Sequence, residues 1–519
     1  MSSLPSFLAA ASGPRGPSHD QRAACRSALA GAVALAVALG VGRFAFTPLL
    51  PLMLAGGELD IRHGGWLASA NYAGYFVGAM TCARIAVDPA RMVRAGLAAT
   101  VLLTFAMGLA SPFWVWALVR FVGGAVSAWT FVFASQWGLR RVVEHGAPAW
   151  GGVIYTGPGI GIVATGLIGF ALAGRHAALG WIGFAAASAV LTAFVWRAFG
   201  AAGAGTDGGQ SRGGAKRAGD GVGVADAAGR AGERLAAGAT GAAEGAEGAE
   251  GAEAVADAVS AANVADTADT ANSANSANSA NSANSANSAN SPTATAERNS
   301  PVAGVAGQHA AMAAPAARAP HVESAAARRD AFWLVLLYGL PGFGYIITAT
   351  FLPVIARAAL PAHSRWPDLF WPMFGAALIA GALLGARLPS RWDNRLLLAA
   401  CCAVQALGVA LGIVWPTAPG FALGSALVGL PFTAITLFAM REARRLRGER
   451  AAGLMGYATA SYGVGQIAGP LAAAPLAAHA GSFSPALWLA ATMLAVGAAG
   501  FAAVALRAWR ARTRGGGVG

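Results

Sequence analysis

Apolar runs long enough to cross a bilayer follow one another along most of the chain, separated by short stretches that carry the charges, glycines and prolines. Roughly 20 mainly apolar residues cover about 30 Å of hydrocarbon. Windows of that length predict six spans before the middle, at 28–54, 65–83, 95–111, 113–138, 151–173 and 178–199. Six more follow it, at 331–356, 367–386, 396–415, 418–440, 453–477 and 484–506. The first run is too long for a cleaved leader and is read as a helix. The pattern therefore predicts an all-α polytopic membrane protein with six-helix units at 28–199 and 331–507 and short tails at 1–27 and 508–519.

Residues 200–330 differ in kind. Ala-Glu-Gly triplets near Glu244–Glu253 give way to seven Ala-Asn-Ser triplets from Ala271 to Ser291, and large apolar residues are almost absent. Such a segment has too little apolar surface to offset the entropy of ordering, so a disordered linker is expected. It holds 14 of the 23 acids and shows neither a solenoid period nor phosphate- or metal-binding spacing.

Composition agrees with a membrane protein. The 519 residues are 56% hydrophobic and 11% charged, with a mean hydropathy of +0.54; soluble domains carry about 25% charged residues. The net charge of +13 does not point to nucleic acid against so large an apolar excess, and the lipid bilayer is the partner expected instead. Cys25, Cys82, Cys401 and Cys402 have no spacing that suggests a disulfide frame or zinc site, and no cofactor or metal is expected. If the two tails and the linker share one side, that side collects 30 of the 36 basic residues, and the opposite side has only Arg62, Arg175, Arg357 and Arg365. The positive-inside rule then places both termini in the cytoplasm.

The two halves echo each other. Gly78-Ala79-x-x-x-Ala83-Arg84 at the end of span 2 recurs as Gly381-Ala382-x-x-x-Ala386-Arg387 in span 8, an offset of 303. Gly42 and Pro51 recur as Gly344 and Pro353, an offset of 302, while Ala117-Leu118 and Gly124 recur as Ala422-Leu423 and Gly429, an offset of 305. Parallel six-helix halves with a cytoplasmic connector resemble the plan of major facilitator transporters. Asp88 and Arg91 resemble that family's loop motif after span 2, without its central glycine. Arg120-x-x-x-Gly124 is similar to its span-4 motif, and Gly157-Pro158 to its antiporter motif. Three longer segments are similar to the YbfB/YjiJ-type bacterial branch: Gly40-Val-Gly42-Arg43-Phe44-Ala-Phe-Thr47-Pro48-Leu-Leu-Pro51, Asn71-Tyr72-Ala-Gly74-Tyr75-Phe-Val-Gly78-Ala79 and Gly465-Gln466-Ile-Ala-Gly469-Pro470. The resemblance implies two six-helix bundles, a multi-pass protein of the bacterial inner membrane, and secondary transport by alternating access. It also implies gating or coupling roles around Asp88, Arg91, Gly124, Gly157, Pro158, Gly469 and Pro470.

Charge inside hydrocarbon costs several kcal/mol on most estimates, so intramembrane ionisable groups are the first functional candidates. No span carries Asp, Glu or His in its interior, whereas Arg43 and Arg120 do lie within spans, about 15 and 10 Å below the outer surface by helical rise. The repeat places Tyr345 opposite Arg43 and Ser425 opposite Arg120, so positive charge faces neutral hydrogen-bonding groups. Guanidinium binds carboxylate or phosphate through two parallel hydrogen bonds, which suits an anionic solute. The competing reading has each arginine bonding backbone carbonyls where Gly40, Gly42 and Pro48 loosen span 1. Asn71, Tyr72, Tyr75, Tyr345 and Gln466 complete the candidate substrate-binding set, although such groups also hydrogen-bond between helices. Trp114, Trp116, Trp366 and Trp371 fall near expected outer ends, where aromatic belts belong.

The expectation is a transporter of a small organic solute, with an anion favoured, a coupling proton left open and a monomer assumed. Efflux of a neutral or cationic amphiphile and a transporter-like sensor or scaffold are the alternatives. A membrane enzyme is disfavoured, because no span interior offers a histidine or carboxylate to serve as base or metal ligand.

Overall fold

The computed structural model describes residues 19–85, 87–147, 150–200, 325–385, 387–389, 391–448 and 451–515. The N-terminal tail at 1–18 and residues 201–324 of the expected disordered linker lie outside them. Twelve helices account for the described chain. The first half has α1 (Asp20–Ala55), α2 (Ile61–Thr81), α3 (Pro89–Leu109), α4 (Phe113–Glu144), α5 (Gly151–Ala171) and α6 (Ala177–Trp196). The second half has α7 (Ala325–Ala359), α8 (Trp366–Gly385), α9 (Asn394–Val414), α10 (Ala418–Arg447), α11 (Ala451–Ala480) and α12 (Ser484–Gly515).

Ten of these are long and apolar enough to cross a membrane. The other two, α2 and α11, are diluted by polar residues and glycine, among them His63, Asn71 and Tyr75 in α2 and Tyr462 and Gln466 in α11. Both can be less apolar because one face of each packs on the other across the two halves. Helices α1, α4, α7, α10 and α12 run past the expected spans on the side bearing the chain ends, where arginine-rich turns continue the helix beyond the apolar run. Residues 325–330, assigned by composition to the linker, are the first turns of α7.

The repeat inferred from sequence reappears as contact geometry. A Cβ on Gly78 would lie 2.6 Å from the Ala125 backbone, and one on Gly381 would lie 1.8 Å from the Leu430 carbonyl. Gly124 meets the carbonyl of Asn71 in the same way that Gly429 meets that of Phe374. Each pair presses α2 on α4, or α8 on α10, at a spacing that admits no side chain.

Apolar packing differs between the two ends of the molecule. At the end away from the chain termini, one core joins both halves and includes Leu49, Met53, Tyr345, Phe351, Phe370 and Ala474. At the terminus end there are two separate cores, one around Val93, Trp137 and Ile154 and another around Leu398, Phe438 and Met455. Inter-half hydrogen bonds follow the shared core: Thr47 Oγ1 donates to Ala349 O at 3.0 Å and Ser69 Oγ to Ile467 O at 2.8 Å, while Tyr72 Oη meets Thr350 Oγ1 at 3.1 Å. The halves are thus locked at the far end and separately packed at the terminus end.

The aromatic-belt expectation holds for only two tryptophans. Trp114 and Trp366 are 79% and 50% exposed, but Trp116 is buried and donates to Met107 O at 3.1 Å. Trp371 is fully buried, with its ring stacked 5.1 Å from that of Phe374. Both correct the sequence expectation: position along a span does not reveal which face of the helix a ring occupies.

Candidate functional site

Helix α1 is irregular where its charge sits. Residues Ala36–Val41 form a π-helical turn, in which Gly42 N–H and Phe44 N–H reach back five residues to Val37 O and Leu39 O at 3.0 and 3.1 Å. Such bulges inside α-helices are frequent at functional positions. Rerouting these bonds frees carbonyls that a regular helix would use. Ser127 Oγ donates to Ala38 O at 2.8 Å, and Arg120 Nη2 donates to Arg43 O at 3.3 Å. Close approach of α5 supports the irregular turn: a Cβ on Gly40 would lie 2.4 Å from Gly161 Cα, so glycine is required at this crossing.

Arg43 follows the bulge and is 5% exposed. Its Nη2 donates to Gln466 Oε1 at 2.8 Å, and Gln466 Nε2 in turn donates to Tyr345 Oη. The guanidinium carbon lies 4.1, 5.0 and 5.4 Å from the ring centroids of Tyr75, Tyr72 and Phe44. Such faces attract a cation through their quadrupoles. Nε has no hydrogen-bond partner. Helices α1, α2, α7 and α11 therefore bring Arg43, Tyr72, Tyr75, Tyr345 and Gln466 into one cluster straddling both halves.

Arg120 and Asn71 are adjacent to this cluster but face backbone. Arg120 Nε donates to Leu67 O at 3.5 Å, and its guanidinium lies over the Phe46 ring at 4.8 Å. Asn71 Nδ2 donates to Arg120 O at 2.8 Å. Arg120 also borders a small cavity within the first half, lined by Gly42, Thr100, Thr104, Met107 and Trp181. Ser425, the residue opposite Arg120 in the repeat, bonds Phe421 O in its own helix at 2.7 Å.

The expected gating residues occupy packing positions. Asp88 caps α3 by accepting the Arg91 N–H at 3.0 Å, and Arg91 is exposed. Gly157 abuts Ala32 O of α1, and Pro158 stands in the first turn after a break at Tyr155. Gly469 packs on Phe343 and Ile346 of α7, whereas the carbonyl of the next residue, Pro470, faces Gly65 of the other half.

Two groups escaped the sequence reading. Tyr462 stacks between Tyr338 and Tyr345, at 4.8 and 5.9 Å, extending the cluster along α7 and α11. The seven-residue spacing of Tyr338 and Tyr345 and the four-residue spacing of Tyr462 and Gln466 could have revealed these shared faces. The second group lies at the terminus end of the second half. There Arg395 is 3% exposed and meets Asp393 at 2.9 Å, Asp330 at 3.3 Å and Glu442 at 3.6 Å. Arg445 donates to both oxygens of Glu442, at 2.6 and 2.7 Å. Burial pushes the Asp393 carboxyl up, but hydrogen bonds and charge from Arg395 outweigh it and hold the group below its ordinary value. The signal in sequence was Glu442, the one acid within the arginine-rich end of α10.

Twelve helices in two six-helix halves, closed at one end over a buried polar centre, define a major facilitator transporter. The chain belongs to the family described as "Uncharacterised MFS-type transporter YbfB", whose model matches residues 35–219 and 298–501. It is thus a multi-pass membrane protein of a transporter family. Among individually curated proteins no sequence match is found. Solved structures of the same fold include a point mutant of the nucleoside transporter NupG, at 13% identity and TM-score 0.56, covering 92% of this chain and 99% of that one. A D-xylose-proton symporter matches at 11% identity and TM-score 0.55, covering 92% and 96%.

Proposed function

We propose that the protein is a secondary transporter of a small organic anion and that Arg43 is its anion-binding group. One observation carries this reading: a buried guanidinium between the two halves, held by the amide oxygen of Gln466 and faced by aromatic rings, keeps one N–H without an acceptor. Among the described residues no carboxylate pairs with it, so its charge is available to a solute. Arg120 serves as a positioning residue that holds the carbonyl of Arg43 and the irregular turn of α1. Exchange or facilitated movement of an anion needs no titratable relay within the helices. The arginine distribution supports an orientation with both termini in the cytoplasm, which puts the separately packed end on the cytoplasmic side, and the family resemblance supports a bacterial inner membrane.

A thermal-shift screen of organic acids and neutral amphiphiles, run beside Arg43→Gln, tests the reading. Stabilisation by acids is expected in the wild type and should vanish in Arg43→Gln, with transport of the same acids falling about a hundredfold. The stacked Tyr338, Tyr462 and Tyr345 favour a second reading, efflux of an amphiphile. Stabilisation by neutral compounds that survives Arg43→Gln would select it.

A further inference from the structure

The edge of the Arg43 guanidinium used in two-bond recognition of a carboxylate is formed by Nε–H and Nη2–H, which point the same way. Only half of that edge is engaged. Nη2 is held by Gln466 Oε1 at 2.8 Å, and Nε, equally buried, has no partner. A side-chain amide offers one acceptor oxygen and cannot satisfy both prongs as a carboxylate does. Gln466 is also the middle of a chain that joins the halves, from Arg43 on α1 to Tyr345 on α7. This chain lies beside the direct inter-half bonds Thr47–Ala349 and Tyr72–Thr350 that close the far end.

We propose that Gln466 is a placeholder for the substrate's carboxylate: an incoming carboxylate takes both prongs of Arg43, displaces the amide and thereby cuts the Arg43–Gln466–Tyr345 link across the halves. The proposal rests on Arg43 being the anion site and adds the device by which occupancy loosens the closed end. The amide is bonded to Tyr345, whose ring stacks on that of Tyr462 at 5.9 Å, so a carboxylate carried on a planar ring has aromatic side chains beside its site. A neutral amide of the same shape offers one oxygen, as Gln466 does, and gains nothing by exchange.

The test uses the full-length protein in nanodiscs, with its four cysteines replaced by alanine and spin labels at Glu58→Cys and Ser482→Cys in exposed far-end loops. Benzoate is the probe and benzamide the neutral control. Benzoate should raise the far-separated population roughly fivefold, as expected for exchanging one charge-assisted link, and benzamide should leave it unchanged. Gln466→Leu should show the separated population without ligand and bind benzoate roughly fivefold tighter, because its competitor is gone. Gln466→Glu, carrying its own carboxylate, should stay closed and not respond to benzoate. If benzoate binds in an Arg43-dependent way but moves no distance in the wild type and binds Gln466→Leu no more tightly, displacement is wrong while the anion site stands. If benzoate fails to bind the wild type, or binds Arg43→Gln equally well, both fail together.

Discussion

The two halves share a helical plan and differ in where they bury positive charge. The first half buries Arg43 and Arg120 midway along α1 and α4 with aromatic rings and carbonyls around them. The second half buries Arg395 at the terminus end of α9, with Asp330, Asp393 and Glu442 as partners. The corresponding loop of the first half has only Asp88 as a helix cap, while Arg94 of α3 turns to Trp196. An arginine supplied with carboxylates is a fixed joint. One supplied with neutral partners and aromatic faces keeps an N–H without an acceptor, which is the feature the proposed anion site uses.

The largest effect that would break this comparison is on stability. Arg395→Met leaves three carboxylates close together and partly desolvated, and should cost about 3–5 kcal/mol, read as a sharp fall in monodisperse protein on heating. Arg43→Gln should do the reverse: stability within about 1 kcal/mol of wild type, with the loss confined to transport. Equal destabilisation by the two would erase the distinction. A smaller effect sharpens the repeat. Gly78→Ala and Gly381→Ala both force α2 from α4 or α8 from α10 and should cost about 1–3 kcal/mol, more for Gly381, whose Cβ would meet a carbonyl at 1.8 Å.

The smallest effect concerns the loop acids. Asp88→Ala removes a cap and should cost about 1 kcal/mol. Asp393 both caps α9 and binds Arg395, and its folded value lies below the ordinary 3.8. A lowered carboxylate adds stability that is full above its unfolded value and lost as pH falls through the folded one. Heating scans between pH 6 and 3 should therefore show a decline below about pH 4 that Asp393→Asn flattens.

The fold was legible because hydrocarbon imposes length and composition on each span, and Gly78/Gly381 and Gly124/Gly429 revealed the repeat before their contacts were known. Arg43 was legible as a charge inside an apolar run; the repeat placed Tyr345 opposite it, and the structure joins the two through Gln466. Arg120 was legible only as a choice between anion binding and bonding to backbone carbonyls, because its orientation depends on a π-turn in α1 that frees the Arg43 carbonyl; Gly40 and Gly42 signal a loosened helix without saying which oxygen is released. Gln466 could be chosen as a candidate, but its role in linking the halves depends on how α11 rotates against α2. The Arg395 cluster was hidden because Asp330, Asp393 and Glu442 come from three separate segments, and each looks like an ordinary flanking charge.

One core shared at the far end and two at the terminus end make the two ends mechanically unequal. Inside hydrocarbon, helices are held together by close packing and interhelical hydrogen bonds and not by expulsion of water, because lipid tails are as apolar as the side chains they would replace. At the far end both kinds of contact cross between the halves, through the shared core and through Thr47–Ala349 and Tyr72–Thr350. A pull that separates the halves therefore meets its main resistance there, and little in the two terminus-end cores, each of which lies within one half.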